Sequence, residues 1–172
     1  MIDVINDFDF EGSEKLLKYA LPAAKKIAKL KQRLRAAGVP VIYVNDNFGR
    51  WQSDFRDQIQ YCSSDACKGR EVTELLLPDD KDYFVLKPRH SGFYATSLPV
   101  LLGYLGTKCL ILTGFAGDIC VLYTANDAYM RDYDLIIPAD CIASESGNGN
   151  EGALDHMRTR LKARVIASTS IR

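Results

Sequence analysis

Short apolar runs rich in β-branched residues alternate with longer stretches of helical period along the whole chain. Apolar residues at Leu16, Leu17, Ala20, Ala23, Ala24, Ile27, Leu30 and Leu34 recur at helical spacing and predict a helix over residues 13–37. Ser13 is its expected cap, and Pro22 inside it predicts a kink or a break. Further helices are expected over residues 54–61, 71–77, 97–105 and 151–161, and another from Asp118 onward. Strands are expected at the tail of residues 1–6, then at 41–44, 83–86, 109–113, 135–137 and 165–167. This alternation describes an α/β fold with three α/β/α layers around a mainly parallel, doubly wound sheet. Residues 1–172 form a single domain, long enough to bury a core without staples.

Charge and cysteine content narrow the function. Lys plus Arg and Asp plus Glu balance at 22 each, so no basic field marks a nucleic-acid binder. Every apolar run is too short to span a membrane, and the N-terminus lacks the basic-then-apolar pattern of a secretory signal. The five cysteines fit reduced thiols in the cytoplasm better than a disulfide framework. Cys62 and Cys67 lack a second Cys/His pair that would complete a zinc site.

Right-handed crossovers bring the carboxyl ends of parallel strands to one edge, where open α/β sheets place their sites. Three groups converge there from position alone: Asp3 near the end of the first strand, Lys87 at the end of the third, and Cys120 just after the fourth. Cys120 follows the small-residue turn 114–117 and enters the first turn of a helix. Unpaired N–H groups and the helix dipole predict an acidic, nucleophilic thiol there. The plain alternative is a cysteine filling the core.

Three motifs carry a resemblance over nearly the whole chain: Ile2-Asp-Val-Ile-Asn-Asp-Phe8, Leu86-Lys-Pro-Arg-His-Ser-Gly-Phe93 and Gly114-Phe-Ala-Gly-Asp-Ile-Cys-Val121. In that order the chain resembles the isochorismatase-like cysteine hydrolases, which include nicotinamidases and N-carbamoylsarcosine amidases. The resemblance implies a Cys120 nucleophile, Asp3 as the general base that takes its proton, and Lys87 as the third member of a triad. It also implies a cis peptide between Phe115 and Ala116, with the N–H groups of Ala116 and Cys120 forming an oxyanion hole. The implied reaction is hydrolysis of a small amide or related C–N bond through a thioester. A non-catalytic ligand-binding member and a vinyl-ether hydrolase are the alternatives. A homo-oligomer, dimer or tetramer, is also implied.

The chain departs from that pattern in two places. Nicotinamidases of the family hold a metal through an Asp and histidines after the second strand. Here residues 45–51 contain no histidine, and the chain has only His90 and His156, so neither a metal nor another cofactor is expected. Second, only Met1 and Ile2 precede Asp3, which makes the base-bearing strand a stub amid the sheet and suggests a misassigned start. Asp7 is a rival base, and a Cys120–His90 pair a rival scheme with His90 facing solvent. Phe8, Asp46, Trp51, Phe93 and Tyr123 are the substrate-facing candidates, with Phe48, Tyr94 and Phe115 also beside the strand ends. Arg50 and Arg89 are available to an anionic substrate group.

Overall fold

A computed structural model describes residues 1–171. The first helix, α1 (Ser13–Ala36), is continuous through Pro22. Pro22 and Lys18 both lie on its exposed face, so water solvates the carbonyl that the missing N–H leaves free. Ser13 does not cap this helix. Gly12 takes the cap position at φ 81°, a left-handed conformation that a glycine adopts without penalty, and the Ser13 hydroxyl is buried without a partner.

There follow β1 (Ile42–Asp46), α2 (Phe55–Cys62), α3 (Arg70–Leu75), β2 (Tyr83–Lys87) and α4 (Leu98–Tyr104). Asp54 caps α2 by accepting from the N–H groups of Arg56 and Asp57. The second half comprises β3 (Cys109–Ile111), β4 (Gly114–Phe115), α5 (Leu122–Tyr129), β5 (Asp134–Pro138), β6 (Ile142–Ala143), α6 (Gly147–Thr159) and β7 (Arg164–Ile166). Two features lie outside the sequence expectation. Gly114 and Phe115 are a strand rather than part of a turn, because they pair in parallel with Ile142 and Ala143. The helix after them opens with a wide π-turn, Gly117–Val121, in which the N–H of Val121 reaches back to Ala116 O at 3.1 Å.

All the pairings are parallel: β1 with β2, β3 with β5, β5 with β7, and β4 with β6. Helices cover both faces. On one side α1 buries Leu16, Ala20, Ala24, Ile27 and Leu30 against Tyr43, Phe55 and Phe115. On the other, Leu98, Leu102, Val121, Ala125 and Met157 pack on Val44, Val85, Leu135 and Ile137. Successive strand residues such as Tyr43 and Val44 serve opposite faces, as the pleat requires.

The two halves of the sheet are joined at Ile2, which bridges Val44 on one side and Gly114 on the other. Its N–H donates to Thr113 O at 2.8 Å and its carbonyl accepts from Phe115 at 3.0 Å, while Asp3 N–H donates to Val44 O at 3.0 Å. Residues 1–3 thus have ladder partners on both sides. This first strand ends at Asp3 because φ of 49° turns the chain out of the sheet. Gly114 is needed beside it: at φ 120°, a Cβ there would lie 2.0 Å from Ile2 O. Beyond Met1 the same gap widens into an apolar cleft of about 460 Å³ between Val41–Ile42 and residues 109–113.

Because the side chain of Ile2 is 1% exposed and its backbone bridges Val44 and Gly114, Ile2→Ala is expected to cost about 2–4 kcal/mol in urea unfolding. The amides of Val44 and Phe115 should lose exchange protection in the same variant, and unchanged protection there would contradict the bridging role.

Candidate active site

Three strand ends build the site. Asp3 leaves the first strand, Lys87 is the last residue of β2, and Cys120 stands in the π-turn between β4 and α5. The Lys87 ammonium is fully buried and lies 2.8 Å from Asp3 Oδ2, 3.5 Å from Asp46 Oδ2 and 3.6 Å from Cys120 Sγ. It also donates to Arg89 O at 3.1 Å. Asp3 Oδ1 accepts the N–H of Asp46 at 2.6 Å, and its carboxylate faces the Cys120 thiol. The structure thus brings together the three side chains that the topology predicted. The Phe115–Ala116 peptide beside them is cis.

Electrostatics divide the protons among these groups. Burial pulls the Lys87 ammonium toward the neutral form, but Asp3, Cys120 and Asp46 more than offset this and hold it above the usual lysine range. Burial raises the Asp3 carboxyl against the pull of Lys87, making it a stronger base than a solvated aspartate. Burial and the charge of Asp3 push the Cys120 thiol far up, against a smaller downward pull from Lys87. The acidic thiol expected from helix position is therefore not what this environment provides. The resting site holds an ammonium, a carboxylate and a thiol, so ionising the sulfur requires a proton acceptor.

The remaining candidates separate by position. Asp46 is in the site, between Lys87 and its own loop, where Oδ1 accepts from Phe48 N–H at 2.7 Å. Tyr123 is half exposed at the mouth, its ring 5.5 Å from that of His90. His90 itself stands at the mouth, Nδ1 3.8 Å from Cys120 Sγ. Trp51 is 78% exposed on the loop after β1, and Tyr94 is exposed as well. Phe8 and Phe93 are core residues: Phe8 is fully buried against Phe10 and Phe115, and Phe93 packs near Tyr133 and under Arg131. Neither presents a face to the mouth, because the apolar contacts behind the sheet edge are stronger competitors for their rings. Asp7 closes its own turn by accepting the N–H of Asp9. Arg50 lies over the Tyr61 ring.

Comparison with known proteins identifies the family. A model of the isochorismatase domain matches residues 1–170. YaaI of Bacillus subtilis (strain 168), an uncharacterised isochorismatase family protein, is 43% identical over 171 residues, covering 99% of this chain and 93% of that one. The chain belongs to the isochorismatase family. Among solved structures, N-carbamoylsarcosine amidase from Thermoplasma acidophilum is 31% identical, with a TM-score of 0.69 over 99% of this chain and 95% of that chain. The pyrazinamidase/nicotinamidase from Streptococcus mutans UA159 is 27% identical, with a TM-score of 0.74 over 96% and 97%. The protein is accordingly a hydrolase of this family.

A metal of the kind the resemblance to nicotinamidases implies does not suit this site. Asp46, the last residue of β1, already faces the Lys87 ammonium, and a dication there would meet a charge of its own sign. Among the described residues, no three His, Cys, Asp or Glu side chains gather as a ligand set. No helix among them is long and apolar enough to cross a membrane.

The residues that fix this cluster leave little trace in the sequence. Thr124 Oγ donates to Cys120 O at 2.7 Å and accepts from Gly92 N–H at 3.0 Å, and Ser91 donates to Asp127. The loop after β2 is thereby tied to the helix that carries Cys120. The only sequence signal is the spacing of Cys120, Thr124 and Asp127 on one helical face.

Removing one partner of the buried pair should be costly. Lys87→Met, which leaves the Asp3 carboxylate unpaired, is expected to lose about 3–5 kcal/mol in chemical unfolding. Iodoacetamide should alkylate wild-type Cys120 slowly near neutrality and faster as pH rises through and above 9, because the thiol is raised. In Asp3→Asn the carboxylate that raises it is gone, so the labelling curve should move to lower pH. An unmoved curve would show that Asp3 does not act on the sulfur.

Proposed function

We propose that this hydrolase cleaves a small amide or related C–N bond by covalent catalysis at Cys120, with Asp3 and Lys87 completing a triad. The observation that carries the proposal is the buried contact set itself: a carboxylate, an ammonium and a thiol at three strand ends, each within reach of the next. In this reading Asp3, with its basicity raised by burial, takes the thiol proton as Sγ attacks the carbonyl carbon. Lys87 keeps the carboxylate oriented and balances the charge that builds on sulfur. The N–H groups of Ala116 and Cys120 receive the oxyanion, a contribution of about 3 kcal/mol per donor. The N–H groups of Asp118, Ile119 and Val121 are already engaged within the turn or by Ser144, and are not available for this. Collapse expels the amine and leaves a thioester, which water releases.

The relatives named for C–N cleavage, N-carbamoylsarcosine amidase and nicotinamidase, favour amide or carbamoyl substrates. Nicotinamide itself is disfavoured by the absence of histidines after β1. The mouth offers Asp46, Trp51, Tyr123 and the flanking Arg89 to a small substrate, a mixture suited to a planar group carrying a polar or anionic substituent. The same reading includes a homo-oligomer in a reducing cytoplasm, supported by exposed Trp51, Tyr94 and Val100 and by five free cysteines.

A panel of small amides and N-carbamoyl compounds tests the chemistry. Wild type should turn over at least one member, and Cys120→Ala should lose about 10³-fold or more in kcat. Intact-protein mass spectrometry after rapid quenching should show one acyl group on Cys120. Full turnover by Cys120→Ala would end the thioester proposal.

A further inference from the structure

The Cys120 sulfur has an inner and an outer side. On the inner side stand Asp3 and Lys87, both buried. On the outer side stands His90, solvent-exposed, with Nδ1 3.8 Å from Sγ. The inner carboxylate accepts from Asp46 N–H through Oδ1, pairs with Lys87 through Oδ2 at 2.8 Å, and in the reading above already holds the thiol proton when the C–N bond breaks. A leaving nitrogen departs from the carbonyl carbon on the substrate's side of the sulfur, where His90 stands.

His90 does not sit there by chance rotation of a surface loop. Its carbonyl-side neighbours are pinned to the helix carrying the cysteine, Ser91 to Asp127 and Gly92 N–H to Thr124 Oγ, which in turn holds Cys120 O. On its other flank, Arg89 O accepts from the Lys87 ammonium at 3.1 Å. The imidazole lies against the Tyr123 ring on the next turn of the same helix. These restraints hold backbone and ring on both sides and fix the imidazole beside the sulfur.

We infer that His90 is a fourth catalytic residue, the acid for the leaving group and the base for the water. This rests on the thioester reading above. Asp3 takes the Cys120 proton and keeps it while the S–C bond forms. As the C–N bond breaks, imidazolium His90 gives its proton to the leaving nitrogen, and the amine departs neutral. Neutral His90 then takes a proton from the attacking water as the new C–O bond forms. When that second intermediate collapses, the S–C bond breaks and the thiolate recovers its proton from Asp3. Each group returns to its starting state, and no outside oxidant or reductant enters. The titratable groups against the imidazole are Cys120 and Tyr123 on the facing helix.

The test compares wild type with His90→Gln on the best amide of the panel and on the 4-nitrophenyl ester of the same acid. Nitrophenolate leaves without a proton, whereas an amine does not. His90→Gln should lower kcat/KM on the amide about 100-fold or more, the range of general acid–base catalysis. The nitrophenolate burst with the ester should keep its rate within about threefold, while the steady state after the burst slows, because water has lost its base. Equal loss of amide turnover and burst would make His90 a positioning residue, and no loss of amide turnover would remove it from the chemistry. Either result overturns the inference and leaves the thioester reading intact. A burst undiminished in Cys120→Ala would overturn both.

Discussion

A lysine ammonium with no contact to water is the constraint around which this active site is arranged. Lys87 ends β2 and is fully buried, a position that costs several kcal/mol unless the charge is met from every side. It is met by Asp3, Asp46 and a backbone carbonyl, which come from three separate segments. Those partners can close around it only if the first strand, β1 and the loop after β2 are in register. The ion pair therefore depends on the same assembly of strand ends that brings the Cys120 thiol beside it.

Assembly in turn hangs on a narrow piece of backbone. Ile2 bridges the two halves of the sheet, and Gly114 lets its carbonyl come close enough to pair. Asp3 then turns away at positive φ, a conformation that Asp tolerates better than a β-branched residue would. One residue later in the chain, that turn would carry the carboxylate past the lysine. The chemistry of the site and the closure of the sheet are thus set by the same few atoms.

The electrostatic arrangement favours proton transfer over a standing thiolate. A cysteine left ionised at a mouth beside solvent is exposed to oxidation and alkylation, since reactivity follows thiolate character and access. Here burial and a neighbouring carboxylate keep the sulfur protonated, and burial makes that same carboxylate more basic than a solvated aspartate. The apolar cleft of about 460 Å³ between Val41–Ile42 and residues 109–113 lies elsewhere and touches none of the three groups. Size does not mark this site. Converging polar groups do.

Much of this was legible along the chain. The period of apolar residues gave every long helix and the longer strands, because burial on one or both faces leaves a repeat that no other structure produces. The order of strands and helices gave the parallel topology, and with it the meeting of Asp3, Lys87 and Cys120 at one edge. What the sequence could not give were properties that depend on distance through space. The two-residue strands Gly114–Phe115 and Ile142–Ala143 carry too few residues for a pattern. The rings of Phe8 and Phe93 read equally well as wall or core, and packing alone sent them inward. The helix start predicted an acidic Cys120, but the sign was reversed by burial and by a carboxylate more than a hundred residues away in the chain. His90 read as a surface residue, and it is one, yet the hydrogen bonds of Ser91 and Gly92 to the facing helix place it against the sulfur. Periodicity and residue type are local and survive in one dimension. Charge, burial and contact belong to pairs of residues, and only the folded chain decides which pairs meet.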